Sequence, residues 1–483
     1  MSEYKLVVQR IGLIGIANLI AALSGIILLP ILTKNLSLEE YGIWAQIGVT
    51  ISFLVPLATL NLHVASQRFL AGETDKKMVS KGFSSILVVV FFTSLIISVL
   101  IFVFSEPISI AIFGGAEAEQ FVNFASLLIL LGGINASLDI FFTTFLQIKK
   151  HSGLSILRTI FQILLISYFV LSGFGLFGAV ISLLILNVFM LIIKSLLIMP
   201  QIRISFPSHS VIKKYSTYSI PLIPGILGWW MNTLGDRYVI GYFLGMASVG
   251  VYSASYNLGG LVSFFYVPVS VIILPTITNL YKDNKIQEIK THLSYLLKGY
   301  LMIAIPSAFG LAVLSKPLLT TLTTSEFLAG AVIVPIITLA TILYQCSLLN
   351  SNILFLFKKT KIAGSISIVT ASANIVLNII LVPLIGILGA AIATLLAFTF
   401  HLFLTTTFSF KMMKYNVDFK FIIKCIISSV IMAFVIWKLN PMGAGDILIS
   451  IGIAIGVYFG VMILLRAFTK EEYLFFRSSI VRR

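Results

Sequence analysis

An all-α membrane protein of about fourteen transmembrane helices, built as two parallel six-helix lobes plus two C-terminal helices, is the fold class that this sequence predicts. Three observations carry the prediction. Fourteen apolar stretches, each roughly long enough to cross a bilayer, follow one another from Arg10 to Leu465; lysines and arginines gather in alternate gaps between them; and part of the first half recurs about 210 residues later.

Composition excludes a water-soluble chain. Of 483 residues, 59% are hydrophobic and 10% charged, at a mean hydropathy of +1.07, whereas a soluble domain carries about 25% charged residues. A hydrocarbon core of about 30 Å needs about 20 apolar residues per helix, with every backbone group paired inside the segment. The expected spans are 10–33, 41–65, 82–104, 121–147, 153–172, 175–199, 218–242, 249–276, 293–314, 329–357, 362–384, 387–410, 420–438 and 444–466. The fifth and seventh contain charge. The first lacks the short apolar core and small-residue cleavage site of a secretory signal and is read as retained. Cys346 and Cys425 both fall inside spans, too few and too deep for a disulfide framework or a metal site, which leaves packing as their role.

Charge then fixes orientation. Among the 33 basic residues, Lys34, Lys316 and Lys438 fall in the gaps of one side, and Arg158, Lys194 and Arg237 fall inside spans. The others, from Lys5 and Arg10 to Arg482 and Arg483, share the side of the N-terminus. By the positive-inside rule both termini are cytoplasmic, in a multi-pass protein of the cytoplasmic (plasma) membrane. The outer gaps carry Glu39, Glu40, Glu106, Glu117, Glu119, Glu326 and Asp446 instead. The net charge of +16 thus reports topology and contact with anionic membrane lipids, and no nucleic acid is expected as a partner.

The repeat is best seen where Gly175-Leu-Phe-Gly-Ala179 recurs as Gly386-Ile-Leu-Gly-Ala390; at an offset of 211, Ile181, Leu184, Phe189 and Leu191 also find identical residues. A basic turn precedes both copies, Lys149-Lys150 and Lys358-Lys359-Thr-Lys361. An offset of six spans preserves orientation, so the halves are expected to be parallel repeats about an axis along the membrane normal. Residues 1–205 would form an N-lobe of spans 1–6, residues 206–415 a C-lobe of spans 7–12, and residues 416–483 two additional spans and a cytoplasmic tail. The join, Gln201–Tyr215, is basic and contains Pro207, as suits a linker.

Ionisable side chains within hydrocarbon cost about 2.5–3.5 kcal/mol on translocon scales and usually face a bundle interior or a watery path. Asp236 and Arg237 lie near the outer end of span seven; adjacent residues point about 100° apart on a helix, so Arg237 is free either to reach another lobe or to lock helices seven and eight together. Arg158 sits one to two turns into span five with Gln162 four residues on, on the same face. Its fork of donors suits a phosphate or pyrophosphate, and snorkelling to headgroups is the alternative. Asp139 in span four is a candidate proton site, although the simpler reading pairs it with Arg158. Lys194, near a cytoplasmic span end, is expected to snorkel. His63 and His401 read as structural, and His151 as an uninformative residue of a cytoplasmic gap. Asn18, Asn61 and Asn232 add uncharged groups for a polar lining, or for hydrogen bonds between helices. Pro30, Pro56, Pro221, Pro224, Pro268, Pro306, Pro335 and Pro383 are expected to break helices at membrane depth.

There is no P-loop, no HExxH and no paired-cysteine metal spacing, and no cytoplasmic gap is long enough for a nucleotide-binding domain. No enzyme is expected. Cofactors are expected to be none, with coupling to H+ or Na+ as the energy source.

Three segments carry a family resemblance: Leu32-Thr-Lys-Asn-Leu-Ser-Leu-Glu-Glu-Tyr-Gly42, Gly235-Asp-Arg-Tyr-Val-Ile-Gly-Tyr-Phe-Leu-Gly245 and Val249-Gly-Val-Tyr-Ser-Ala-Ser-Tyr-Asn-Leu258. They resemble the polysaccharide-biosynthesis, Wzx-type flippases of the multidrug/oligosaccharidyl-lipid/polysaccharide superfamily, whose fold is MATE-like and MurJ-like. The resemblance implies an alternating-access bundle that moves a polyprenyl-pyrophosphate-linked oligosaccharide, a repeat unit of O-antigen, capsule or exopolysaccharide, to the outer leaflet. Polymerases or glycosyltransferases would be its protein partners. Two relatives compete with this reading: cation-coupled drug antiporters, which place a carboxylate in the first lobe, and peptidoglycan-precursor flippases, which bring several arginines into that lobe. The cavity or substrate-binding residues expected are Arg158, Arg237, Asp236, Asp139, Gln162, Asn18, Asn61, Asn232 and Lys194, with no catalytic residue and no metal ligand.

Overall fold

A computed structural model describes residues 3–203 and 205–467, with side chains from residue 12 onward apart from Ala22. The basic tail that includes Lys470, Arg477, Arg482 and Arg483, part of the charge pattern above, lies outside the described residues, as do the side chains of Lys5 and Arg10. Every regular element described is helical: α1 (Glu3–Asn35), α2 (Leu38–Ala58), α3 (Leu62–Phe69), α4 (Lys76–Val103), α5 (Ser105–Ile108), α6 (Glu119–Thr144), α7 (Ile148–Phe169), α8 (Gly175–Ile198), α9 (His209–Ser219), α10 (Ile223–Leu234), α11 (Asp236–Gly259), α12 (Val267–Lys282), α13 (Ile286–Leu322), α14 (Ile333–Leu356), α15 (Thr360–Ile385), α16 (Ile387–Met412), α17 (Phe419–Leu439) and α18 (Ala444–Leu464).

Twelve stretches among the described residues are long and apolar enough to cross a membrane. Two of them exceed a single crossing. Ile148–Ile198 has 51 residues and His209–Lys282 has 74, roughly 75 and 110 Å of helix against a hydrocarbon core of about 30 Å. Gly173 (φ 87°) and Gly175 (φ 53°) turn α7 back as α8, and Gly245 (φ 79°) breaks α11. Only glycine takes such backbone angles without strain. Counted as two crossings each, these stretches restore the fourteen that the hydropathy pattern predicts.

The expectation that prolines break helices is met in part. Pro30, Pro56, Pro306 and Pro383 remain inside continuous helices. Pro221, Pro224 and Pro268 instead occupy first turns, where the missing N–H has no intrahelical partner to lose.

Packing divides the chain into two compact units: Met1–Ala254 with Ser367–Ala393, and Ser255–Ile366 with Thr394–Arg483. In the first, Phe83, Phe142, Leu186 and Met190 fill the space between α4, α6 and α8. A capping box starts α2: Glu40 N–H donates to Ser37 Oγ (3.2 Å) and Ser37 N–H donates to Glu40 Oε2 (2.9 Å). About one turn into α2, Gly42 lies directly against the Met246 carbonyl and Gly250 against the Leu38 carbonyl, so α2 and the second part of α11 approach backbone to backbone. In the second unit, Leu293, Tyr300, Leu349 and Ile353 build the core. The C-terminal pair packs on α13 through Cys425, Met432, Tyr458 and Leu314, and both Cys346 and Cys425 are free thiols. Large side chains such as Phe92, Phe102, Leu164, Ile192, Leu448 and Leu464 stay more than half exposed. Apolar exposure on that scale suits lipid, not water.

Candidate functional site

Charged residues within the spans of the first unit form two clusters, one half-buried around Asp139 and one buried around Asp236, and one arginine stands apart from both. Near the ends of α6 and α8, Lys194 is 1% exposed. Its Nζ donates to Asp139 Oδ2 at 2.7 Å and to the Asn135 carbonyl at 3.3 Å. The expected pairing of Asp139 with Arg158 is therefore corrected: the carboxylate belongs to Lys194. The expected snorkelling of Lys194 is corrected as well. Both follow from register, because Asn135 and Asp139 lie four residues apart on the face of α6 that meets α8. Asn135 ties the same two helices again by donating to the Asn187 carbonyl at 2.9 Å. A buried ammonium needs such partners, since stranding it without them costs several kcal/mol.

His151, dismissed on sequence, places Nδ1 3.9 Å from Asp139 Oδ1. The turn between α6 and α7 folds it back over the carboxylate, and no periodicity could signal that. Arg158 is exposed and, among the described residues, has no hydrogen-bond or ion-pair partner. It stands ten residues into α7, about 15 Å along the axis. Helical side chains tilt toward the N-terminus, so its guanidinium leans toward the end of the bundle where Lys194 and Asp139 meet. Gln162, one turn on, is half-buried.

The second cluster sits at the break between α10 and α11. Asp236 and Arg237 are 2% and 3% exposed. Arg237 Nη1 donates to Asp236 Oδ1 at 2.7 Å and to the Thr233 carbonyl at 2.9 Å, and its guanidinium lies 5.4 Å from the centre of the Tyr252 ring. Tyr252, which sequence reasoning passed over, donates its hydroxyl to Asp236 Oδ2. Asp236 and Arg237 open α11 directly after Gly235 closes α10.

The uncharged candidates do not converge. Asn18 is exposed on α1. Asn61 is buried in the left-handed turn after α2, at φ 55°, a conformation that Asn tolerates better than most residues. Asn232 joins α10 to α15, donating to the Ser367 carbonyl (3.0 Å) and to Thr370 Oγ1 (3.1 Å). No cluster of three or more metal-ligating side chains occurs among the described residues.

With this geometry in place, comparison with known proteins is decisive at the level of family. Residues 31–333 match the family described as polysaccharide biosynthesis protein. The chain belongs to that family. Residues 245–445 of this polysaccharide biosynthesis protein also match the lipid II flippase MurJ family. Over 259 residues it is 26% identical to the probable low-salt glycan biosynthesis flippase Agl15 of Haloferax volcanii, covering 54% of each chain; it thus spans about half the length of the curated relatives it matches. Among solved structures it is similar to lipid II flippase MurJ in an inward closed conformation, with a TM-score of 0.78 and 21% identity over 93% of this chain and 98% of that one. An inward-facing MATE multidrug transporter of the MOP superfamily follows at 0.67 and 14%, over 81% and 94%. The fold is that of the MurJ and MATE transporters, in a multi-pass membrane protein.

Proposed function

We infer that this protein flips a polyprenyl-pyrophosphate-linked oligosaccharide from the cytoplasmic to the outer leaflet of the cytoplasmic membrane by alternating access, with both termini cytoplasmic. The observation that carries this reading is Arg158. An arginine at membrane depth is costly, and one without a protein partner is more so unless a ligand supplies the counter-charge. The fork of guanidinium donors matches phosphate oxygens bidentately. Asp139 does not compete for it, being held by Lys194. Family membership and the likeness to a glycan flippase support a saccharide-bearing lipid as cargo. No covalent chemistry is needed, and coupling to H+ or Na+ is the energy source we favour. Glycosyltransferases or a polymerase acting on the same lipid would be the natural partners.

The test is a leaflet-exchange assay on protein reconstituted in liposomes, with a fluorescent polyprenyl-pyrophosphate disaccharide. Wild type should move the lipid. Arg158→Ala should slow it about ten- to a hundredfold, the worth of a charge-assisted hydrogen bond of about 1.5–3 kcal/mol, with unchanged thermal stability. Movement of small organic cations without the lipid would replace this reading by that of a drug antiporter.

A further inference from the structure

The first unit contains a cavity of about 600 Å³, walled by Ile47, Phe53 and Leu54 of α2, Val122 of α6, and Trp230 and Val239 on either side of the α10–α11 break. No charged side chain lines it. The two hydroxyls in its wall are already engaged: Thr50 donates to the Gln46 carbonyl at 2.8 Å, which leaves its oxygen to accept from the Tyr238 hydroxyl, also at 2.8 Å. A hydroxyl has one hydrogen, so the direction of the second bond is fixed by the first. The Trp230 indole N–H is directed away, to Ser52 Oγ at 3.1 Å.

These assignments decide the class of occupant. A sugar ring brought here would leave its hydroxyls unpaired, at about 1–3 kcal/mol each, and a pyrophosphate would find no cation. Hydrocarbon meets neither penalty. The volume is roughly four times the ~150 Å³ of an apolar cavity that stays dry and accepts benzene, room for a chain rather than a trapped solvent molecule. The walls are largely β-branched and aromatic, among them Ile47, Val122 and Val239 and the rings of Phe53, Trp230 and Tyr238. β-Branched side chains hold one rotamer, so the chamber is shaped before anything enters. A preshaped chamber favours a chain with few bonds left to freeze, because each immobilised rotor subtracts from affinity. A polyisoprenoid, with a double bond in every five-carbon unit, has fewer such bonds than a saturated acyl chain of equal length.

We propose that this cavity binds a stretch of the polyisoprenoid chain of the transported lipid, apart from the place where Arg158 would meet its pyrophosphate. The proposal rests on the flippase reading for the identity of the chain, but not for its test. The probe is a diazirine-bearing farnesol, cross-linked to the detergent-solubilised full chain and mapped by mass spectrometry. Labels should fall on Phe53, Leu54 and Trp230. Unlabelled farnesol should displace them at about one-tenth the concentration of pentadecanol, a preference of about 1.4 kcal/mol. Ala125→Phe, which fills the chamber from α6, should abolish the labelling; the wild-type competition stands without that variant should it fold poorly. Equal displacement by pentadecanol, or labels confined to outward-facing residues such as Phe92 and Phe102, would overturn the proposal. Selective farnesol labelling in a protein that moves no lipid-linked saccharide would support the site while removing the transport reading.

Discussion

Lys194 meets Asp139 at 2.7 Å in the first half, at the place where the second half sets Asn350 against Thr406 at 2.8 Å. The offset of 211 that aligns Gly175 with Gly386 also aligns Asp139 with Asn350, and it carries Lys194 to Thr405, one residue short of Thr406. In each half a polar bond thus joins the fourth spanning helix to the sixth. The bond is ionic in one half and neutral in the other. A polar tie between these helices occurs in both halves, and it is charged only in the first.

The stability of variants should follow. Asp139→Asn leaves the Lys194 ammonium buried without its counter-charge, and removing one partner of a buried pair costs about 3–5 kcal/mol. The double variant Asp139→Asn with Lys194→Met removes both charges together and should recover most of that loss. Thermal unfolding of the detergent-solubilised variants measures both. A single variant as stable as wild type would show that the pair holds nothing together.

Arg237 should respond unlike Arg158, although both are arginines within spans. Its guanidinium neutralises Asp236 inside the protein, where the carboxylate is 2% exposed. Arg237→Met should therefore lower the yield of folded protein and its unfolding temperature, by the same 3–5 kcal/mol or so expected for a broken buried pair. Asp236→Asn should cost a comparable amount, since it leaves the buried Arg237 guanidinium without its counter-charge and keeps only one oxygen to accept from Tyr252 or Arg237. Size-exclusion profiles and unfolding midpoints separate this loss of fold from a loss of transport.

The crossings were legible because lipid leaves helices one way to satisfy their backbone, and hydropathy reports it directly. Gly175, Gly178 and Ala179 recur as a block at Gly386, Gly389 and Ala390, which is a feature of the sequence alone. Which charges pair was not legible there. Asp139 has Arg158 19 residues on and Lys194 55 residues on, and only the packing of α6 on α8 selects the more distant lysine. For Arg237 two outcomes stayed open, a reach to another lobe or a pair locking helices seven and eight, because neighbours on a helix point about 100° apart; the bonds to Asp236 and Thr233 decide for local pairing. The apolar cavity leaves no sequence trace, since Ile47, Phe53 and Trp230 read as any other lipid-facing or core residue.

Close approach between α2 and α11 gives a test that involves no charge. A Cβ on Gly42 would overlap the Met246 carbonyl, whereas Gly48, almost two turns along the same helix, has open space around it. Gly48→Ala should be neutral or slightly stabilising, because alanine is the better helix former by about 1 kcal/mol. Gly42→Ala should reduce stability despite the same gain, since backbone cannot move aside as a flexible side chain would. Opposite signs in a single thermal-unfolding comparison are the expected outcome, and equal effects would show that the helices are not in contact at Gly42.

At the N-terminal end of α17, acid should loosen the C-terminal helices through Asp418. This residue precedes α17, where its Oδ1 accepts from the Phe421 N–H at 2.9 Å and its Oδ2 from Lys298 Nζ at 3.3 Å. The backbone bond, and then the nearby lysine, hold its carboxyl below the usual range. A carboxylate whose pKa falls on folding adds stability above its unfolded pKa and loses that contribution as pH drops through the lowered value, so the effect should emerge below about pH 4. Asp418→Asn keeps a good helix cap but discards the charge. Its unfolding temperature should lie slightly below that of wild type at neutral pH and converge with it in acid, because protonation has then removed the same interaction from both. A gap that persists unchanged down to pH 3 would assign the effect to packing around α17 rather than to the Asp418 charge.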